Sequence, residues 1–143
     1  MASMSDAELG HQGSSVSPSA AISNALVHIQ REYVGRGPTK ARTSIRDDAV
    51  LVILRDTLTK AERSLIDAGN ADQVLQMRHS FQRAMREEMV AAVEQITGRT
   101  VIAFMSDNHI DPDLASEVFV LQPPAPAGTS LDEDREAGRT AVR

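Results

Sequence analysis

Residues 33–42 hold the densest group of polar and glycine residues in the chain, with the sequence YVGRGPTKAR. The segment supplies two glycines, a threonine hydroxyl and three cations, namely Gly35, Gly37, Thr39, Arg36, Lys40 and Arg42. Glycines let backbone N–H groups turn toward an anion, and cations complete such a pocket, so a phosphate, a carboxylate or bicarbonate would suit it. The spacing differs from that of a Walker A loop or a Rossmann fingerprint. We predict that these six residues bind an anion or an acidic partner. The alternative is a helix end followed by a solvated edge strand.

A second polar group follows an apolar run near the end of the core and contains Asp107, His109, Asp111, Asp113 and Glu117. The first three would share one strand face if the strand extends that far, and Asp and His side chains can hold Mn²⁺, Mg²⁺ or Zn²⁺. However, their spacing matches no metal motif, and a polar strand end before a proline turn explains it as well. We therefore predict no metal ligand and no cofactor. A metal-dependent enzyme that uses Asp107, His109 and Asp111 is kept as a third alternative.

Other chemistries are excluded by what the chain lacks. It has no cysteine, which excludes disulfides, thiol nucleophiles and thiolate metal sites. Its aromatic content is 3% and its net charge is -5, so it offers few stacking surfaces and no field that attracts phosphate backbones. His28 and His79 have no neighbours in sequence that complete a catalytic arrangement. We expect a non-enzymatic protein with no catalytic residue and no nucleic-acid partner.

The elements that must position the first segment are predicted by capping signals and periodicity. A helix is predicted with Ser17 as its cap, Pro18 in its first turn and Gly35 as its stop. Charge alternates with small or apolar residues over 40–46, which is typical of a half-solvated strand. Residues 49–54 are almost wholly apolar and β-branched, which indicates a buried strand. A β-hairpin is therefore expected directly after the glycine-rich segment.

The rest of the core is predicted to be helical and then extended. A T-x-x-E box at Thr59 predicts a helix, which residues 68–70 interrupt. Residues 71–97 predict a longer helix that ends at Gly98. Residues 99–106 and 117–121 predict two more strands. The apolar stripe expected on the long helix consists of Val74, Met77, Phe81, Met85, Met89, Ala92 and Ile96.

The element order α-β-β-α-α-β-β predicts an α+β fold. We expect an antiparallel or mixed four-stranded sheet with the helices packed on one face. Because the second sheet face then needs cover, and because the core has few aromatics, a homodimer is predicted. Residues 18–121 form the predicted domain, between tails at 1–17 and 122–143 that we expect to be disordered from their composition. No apolar run is long enough to span a bilayer and no signal peptide is evident, so we expect a cytoplasmic protein that reaches a membrane only through a partner.

Five segments of this core resemble the MpsC-type family, which is named for a membrane-potential-generating system. They are residues 22–42, 49–56, 81–88, 97–113 and 117–121, of which GRGPTKAR is the most specific part. The resemblance implies association with membrane proteins that transport cations or inorganic carbon, and it implies no catalytic set. We therefore expect an accessory domain that acts with a membrane ion or bicarbonate transport system through the cationic glycine-rich loop. The alternative is a regulatory module that binds a nucleotide or another small phosphorylated ligand there.

Overall fold

The computed structural model describes residues 15–125, and the predicted tails lie for the most part outside these residues. The described part of the chain contains three helices and four strands, in the predicted order. In chain order the elements are α1 (Pro18–Val34), β1 (Lys40–Arg46), β2 (Ala49–Arg55), α2 (Lys60–Asp67), α3 (Ala71–Thr97), β3 (Val101–His109) and β4 (Leu114–Leu121).

Helix α1 begins and ends where its capping residues predict. The Ser17 hydroxyl accepts a hydrogen bond from the backbone N–H of Ala20 at 3.2 Å, and Pro18 occupies the first turn, where its missing N–H costs nothing. Gly35 ends the helix at φ 84°, a left-handed conformation that a side chain would strain. Its N–H donates to the carbonyl of Arg31 at 2.9 Å, which satisfies one of the last free carbonyls of the helix.

The two later helices have the predicted boundaries, but the buried face of α3 is rotated from the predicted stripe. Thr59 and Glu62 form the reciprocal capping box of α2. On α3, Met77 is 40% exposed, whereas Gln82 is buried. The predicted stripe contains only apolar residues. At this turn of α3, however, a buried position is occupied by Gln82, which the predicted stripe does not include. The buried residues of α3 are Val74, Gln82, Met85, Met89 and Val93.

The sheet is antiparallel throughout, with the strand order β1-β2-β4-β3. Two hairpins, β1-β2 and β3-β4, meet along β2 and β4, which are therefore the central strands. Strands β3 and β4 are longer than predicted because their hairpin pairing continues to His109 and Leu114. The sequence prediction stopped β3 at residue 106, where polar residues begin. Cross-strand pairing continues into that polar segment.

The two faces of the sheet have different environments. On the inner face, Val50, Val52 and Leu54 of β2 are fully buried and alternate with exposed or half-buried neighbours. They pack in one hydrophobic cluster with β4 and with the apolar faces of α1 and α3. The outer face carries none of the three helices, and Leu51 on it is 39% exposed. The prediction that the helices cover one face is confirmed.

Candidate functional site

Arg36, the first cation of the glycine-rich segment, is held by the protein itself. Its guanidinium donates to the carbonyls of Asp56 and Leu58 at 3.0 and 2.8 Å, and to the Asp56 carboxylate at 2.8 Å. Asp56 has φ 56°, so these contacts fix a turn in a conformation uncommon for a residue with a side chain. The structure thus gives Arg36 a bracing role between the end of α1 and the end of β2.

The two glycines of the segment are both required by the local backbone structure. Gly35 ends α1 as described above. At Gly37, a Cβ atom would lie 3.2 Å from the side chain of Val27 and 3.3 Å from its carbonyl oxygen. The backbone therefore passes closely over α1 at this point, with Pro38 buried beside it. Close packing, rather than a left-handed turn, explains the second glycine.

The exposed cations of the segment lie on β1 and are joined by one that the sequence analysis missed. Lys40 lies directly opposite Arg55 of β2, and the N–H of Thr39 donates to the carbonyl of Arg55 at 3.2 Å. Arg42 lies two residues further along β1, opposite Ile53. These residues border a depression of about 470 Å³. We call Thr39, Lys40 and Arg55 the cationic corner.

The cationic corner contains an electrostatic conflict. Like charges directly opposite each other on neighbouring strands destabilise a sheet. Within residues 15–125, neither Lys40 nor Arg55 takes part in an ion pair, and both are exposed. An acidic group placed between them would relieve this repulsion. The sequence signal for Arg55 was its position at the end of a buried strand, but pairing it with Lys40 required the hairpin register.

The second polar group of the sequence is divided among three places. Asp107 and His109 lie on β3 and are exposed, with the His109 ring 2.8 Å from the carbonyl of Pro112. Asp113 instead accepts hydrogen bonds from Thr57 and Leu58, and Glu117 lies on the inner face. Within residues 15–125, no group of three or more His, Cys, Asp or Glu side chains is arranged to hold a metal ion.

Asp113 belongs to a polar network that joins the β3-β4 hairpin to α2. Its Oδ1 accepts from the backbone N–H and hydroxyl of Thr57 at 3.1 and 2.9 Å. Its Oδ2 accepts from the N–H of Leu58 at 3.0 Å and lies 3.4 Å from the guanidinium of Arg63. Each oxygen of this carboxylate therefore has donors, and the network fixes the turn on which Asp56 and Arg36 also meet.

A buried ion pair lies next to this network. The Arg78 guanidinium donates to both carboxylate oxygens of Glu62, at 2.7 and 2.8 Å, and to the carbonyl of Thr57 at 2.7 Å. Burial alone would raise the pKa of Glu62, but the hydrogen bonds from Arg78 and from the helix cap lower it below its usual value. The capping box at Glu62 was predicted. Its ion pair with a residue of α3 was not, because that contact joins two helices.

Glu117 is a buried carboxylate without such partners. It is fully buried on the inner face of β4, opposite Val52 of β2 and Ser106 of β3. Within residues 15–125, neither of its carboxylate oxygens has a hydrogen-bond partner. Burial raises the pKa of Glu117 to about 7, and the nearby Ser106 hydroxyl opposes this rise, although its geometry falls short of a hydrogen bond. The side-chain oxygen of Gln82 on α3 is also buried, with no hydrogen-bond partner in the described part of the chain.

His79 lies on α3 and is exposed. It borders a depression of about 620 Å³ between α3 and β3, together with Arg83 and Arg86. The Arg86 guanidinium lies 5.6 Å from the centre of the Phe104 ring, a cation–π contact. The depression is polar and cationic.

Together these features define a two-layer α+β domain with a braced glycine-rich segment, a cationic corner and one sheet face that none of the three described helices covers. A family model described as "Na+-translocating membrane potential-generating system (MpsC)" matches residues 14–123. The chain therefore belongs to the MpsC family. Comparison with curated proteins and with solved structures gave no match. Among the helices of residues 15–125, none has the length and apolar character needed to cross a membrane.

Proposed function

We propose that this chain is a soluble, non-enzymatic accessory domain that acts with the membrane-bound components of a system that moves ions or bicarbonate. In this proposal the cationic corner binds an acidic segment exposed by one of those components. Membership of the MpsC family supports the connection with a Na⁺ membrane-potential system. The helices within residues 15–125 do not meet the requirements for crossing a membrane, so contact with that system would be made by a surface.

The observation that carries the proposal is the pairing of Lys40 with Arg55. A sheet gains nothing from two cations in register, and their separation from every ion pair within residues 15–125 leaves both available to a partner. Arg36 stabilises the cationic corner, because its hydrogen bonds to Asp56 join the glycine-rich segment to the end of β2. A carboxylate-rich partner would gain charge-assisted hydrogen bonds at a preformed surface.

The test is affinity capture from detergent-solubilised membranes of the native cells, followed by identification of the captured integral membrane proteins. We expect the full chain to capture an ion-transport protein, and the variant K40E/R55E to capture at least tenfold less of it. The matched control is K60E/R83E, which makes the same change in net charge at exposed positions of α2 and α3. Equal capture by K40E/R55E, or capture of no transport protein, would contradict the proposal.

The alternative, a regulatory module for a small phosphorylated ligand, uses the same corner and is tested by thermal unfolding. Ligand binding to the native state raises the unfolding temperature, increasingly with concentration. A rise with ATP or inorganic phosphate, lost in K40E/R55E and retained in K60E/R83E, would favour the alternative if no transport protein is captured. A rise with bicarbonate alone would support the ion or bicarbonate system.

A further inference from the structure

The outer face of the sheet is organised in rows that cross all four strands. The register places Ser44, Leu51, Val118 and Met105 in one such row. The next row toward the cationic corner contains Arg42, Ile53, Ser116 and Asp107. The row on the other side contains Arg46, Ala49, Val120 and Ala103. The centre of the face is thus mostly apolar, whereas the β1 edge is cationic and the β3 edge carries an acid.

This pattern differs from that of a sheet face adapted to water. An antiparallel sheet with one solvated face ordinarily presents polar residues there. Here Leu51 is 39% exposed and Met105 is 54% exposed, although both lie within regular strands. An apolar centre bordered by charge is the usual anatomy of a protein interface.

We propose that a second copy of this chain covers the outer face, related by a two-fold axis that runs parallel to the strands between β2 and β4. Such an axis keeps each row in place and reverses the strand order, so β1 of one copy lies over β3 of the other. Arg42 then faces Asp107 of the partner subunit, and the contact occurs twice. Leu51 packs against Val118 of the partner subunit in the neighbouring row.

Charge complementarity selects this axis over the other face-to-face arrangement. A two-fold axis perpendicular to the strands would place β1 over β1 and bring the cations of the two copies together. Neither Arg42 nor Asp107 takes part in an ion pair within residues 15–125. Each therefore enters the parallel-axis interface with its charge available to the partner.

The proposed dimer leaves the cationic corner accessible. Sheets packed face to face lie about 10 Å apart and are rotated by roughly 30°, so their corners diverge. Lys40 and Arg55 form part of the row at the end of the sheet, together with Leu114 and His109. They lie at the rim of the interface, so the dimer and the partner surface proposed above can exist together.

The first test is the mass of the full chain in solution, measured by light scattering and sedimentation over a concentration series. We expect a dimer of the 15.5 kDa chain. R42D and D107R should each raise the dimer dissociation constant at least tenfold, and R42D/D107R should return it to within about threefold of the starting value. L51E should give a monomer. R83D, a charge reversal on α3 away from this face, is the control, and circular dichroism checks that every variant is folded.

A monomeric wild-type chain, or a dimer unaffected by L51E, would overturn the proposal. In those cases another occupant, such as residues 126–143 or the membrane component itself, would cover the face. Loss of the dimer in both single charge variants without recovery in the double variant would overturn the proposed axis.

The second test uses the absence of cysteine from the chain, which makes thiol crosslinking specific. S44C and M105C are prepared separately, mixed to allow subunit exchange, and treated with a short bismaleimide. The parallel axis places these positions over each other in the two copies, so a crosslinked dimer should form mainly in the mixture. A strong product from S44C alone would indicate β1 over β1 and would overturn the proposed axis. The result is independent of the cationic corner, so it can fail or succeed separately from the proposed function.

Discussion

Two buried carboxylates of this domain experience opposite electrostatic environments. Glu62 lies at the junction of α2 and α3, where Arg78 and the helix cap satisfy both of its oxygens. Glu117 lies in the middle of the sheet, where neither oxygen has a hydrogen-bond partner among residues 15–125. The pKa of Glu62 is accordingly lowered, whereas burial raises the pKa of Glu117 to about 7. Burial alone thus does not determine the protonation state of a carboxyl group; the available partners do.

The largest expected effect comes from breaking the satisfied pair. The substitution R78M removes the guanidinium that neutralises Glu62 and leaves this carboxylate buried and unpaired. Removal of one partner of a buried ion pair typically costs about 3–5 kcal/mol of folding free energy. Chemical denaturation should show a loss of this size. The control is R63M, which removes the two ion pairs of an arginine that is 53% exposed and should cost less than about 1 kcal/mol.

The double variant E62M/R78M tests the cause of that loss. If the cost arises from the unpaired carboxylate, removing both charges should recover much of the stability. A double variant less stable than R78M would show instead that packing at this junction, rather than charge pairing, dominates.

The next largest effect concerns Glu117 and depends on pH. Its folded-state pKa of about 7 lies above its ordinary value of 4.5, so the folded protein holds this proton more tightly than the unfolded chain does. The stability associated with Glu117 is fully present below pH 4.5, declines between pH 4.5 and pH 7, and is lost above pH 7. The shift corresponds to about 3 kcal/mol.

E117Q isolates this contribution, because an amide of similar shape carries no charge at any pH. We expect E117Q and the wild-type chain to unfold at similar denaturant concentrations at pH 5, and E117Q to be more stable by about 3 kcal/mol at pH 8. The difference between the two proteins removes the contributions of the other carboxyl groups. A constant difference from pH 5 to pH 8 would show that Glu117 does not titrate in this range.

These two carboxylates also show which features of the fold the sequence predicts and which it does not. Helix boundaries are encoded locally, and Ser17, Thr59 and Gly98 all lie where their capping signals predict. The contacts of Arg78 with Glu62 and Thr57 join residues 16 and 21 positions apart, so no local pattern reveals them. For Glu117 the sequence did carry a signal of burial, because it lies at every second position of β4 together with the buried residues Ala115, Phe119 and Leu121. A strict strand alternation would have placed it on the inner face.

The candidate site shows the same limit. The glycine-rich segment was found from composition, but its division between bracing and exposed residues depends on contacts across the chain. Arg36 meets Asp56 only after β1 and β2 have paired, and Lys40 meets Arg55 only in one register of that hairpin. A shift of one residue would move these side chains to the other face of the sheet. Tertiary pairing therefore decides which cations of the segment can reach a partner.

The smallest of these effects is expected at Asp113, a carboxylate that is partly exposed and fully supplied with donors. D113N keeps one oxygen acceptor but turns an NH₂ group toward donors that now bind the carboxylate, namely the N–H and hydroxyl of Thr57 or the N–H of Leu58. We expect a loss of about 1–3 kcal/mol, because a mismatched buried hydrogen bond costs roughly that much. Amide hydrogen exchange should become faster at Thr57 and Leu58. The control is D111N, a change at an exposed position of the same hairpin turn, which should leave both rates unchanged. If D113N were neutral in stability and exchange, the support for this turn would have to come from Arg36 and the α2 cap instead.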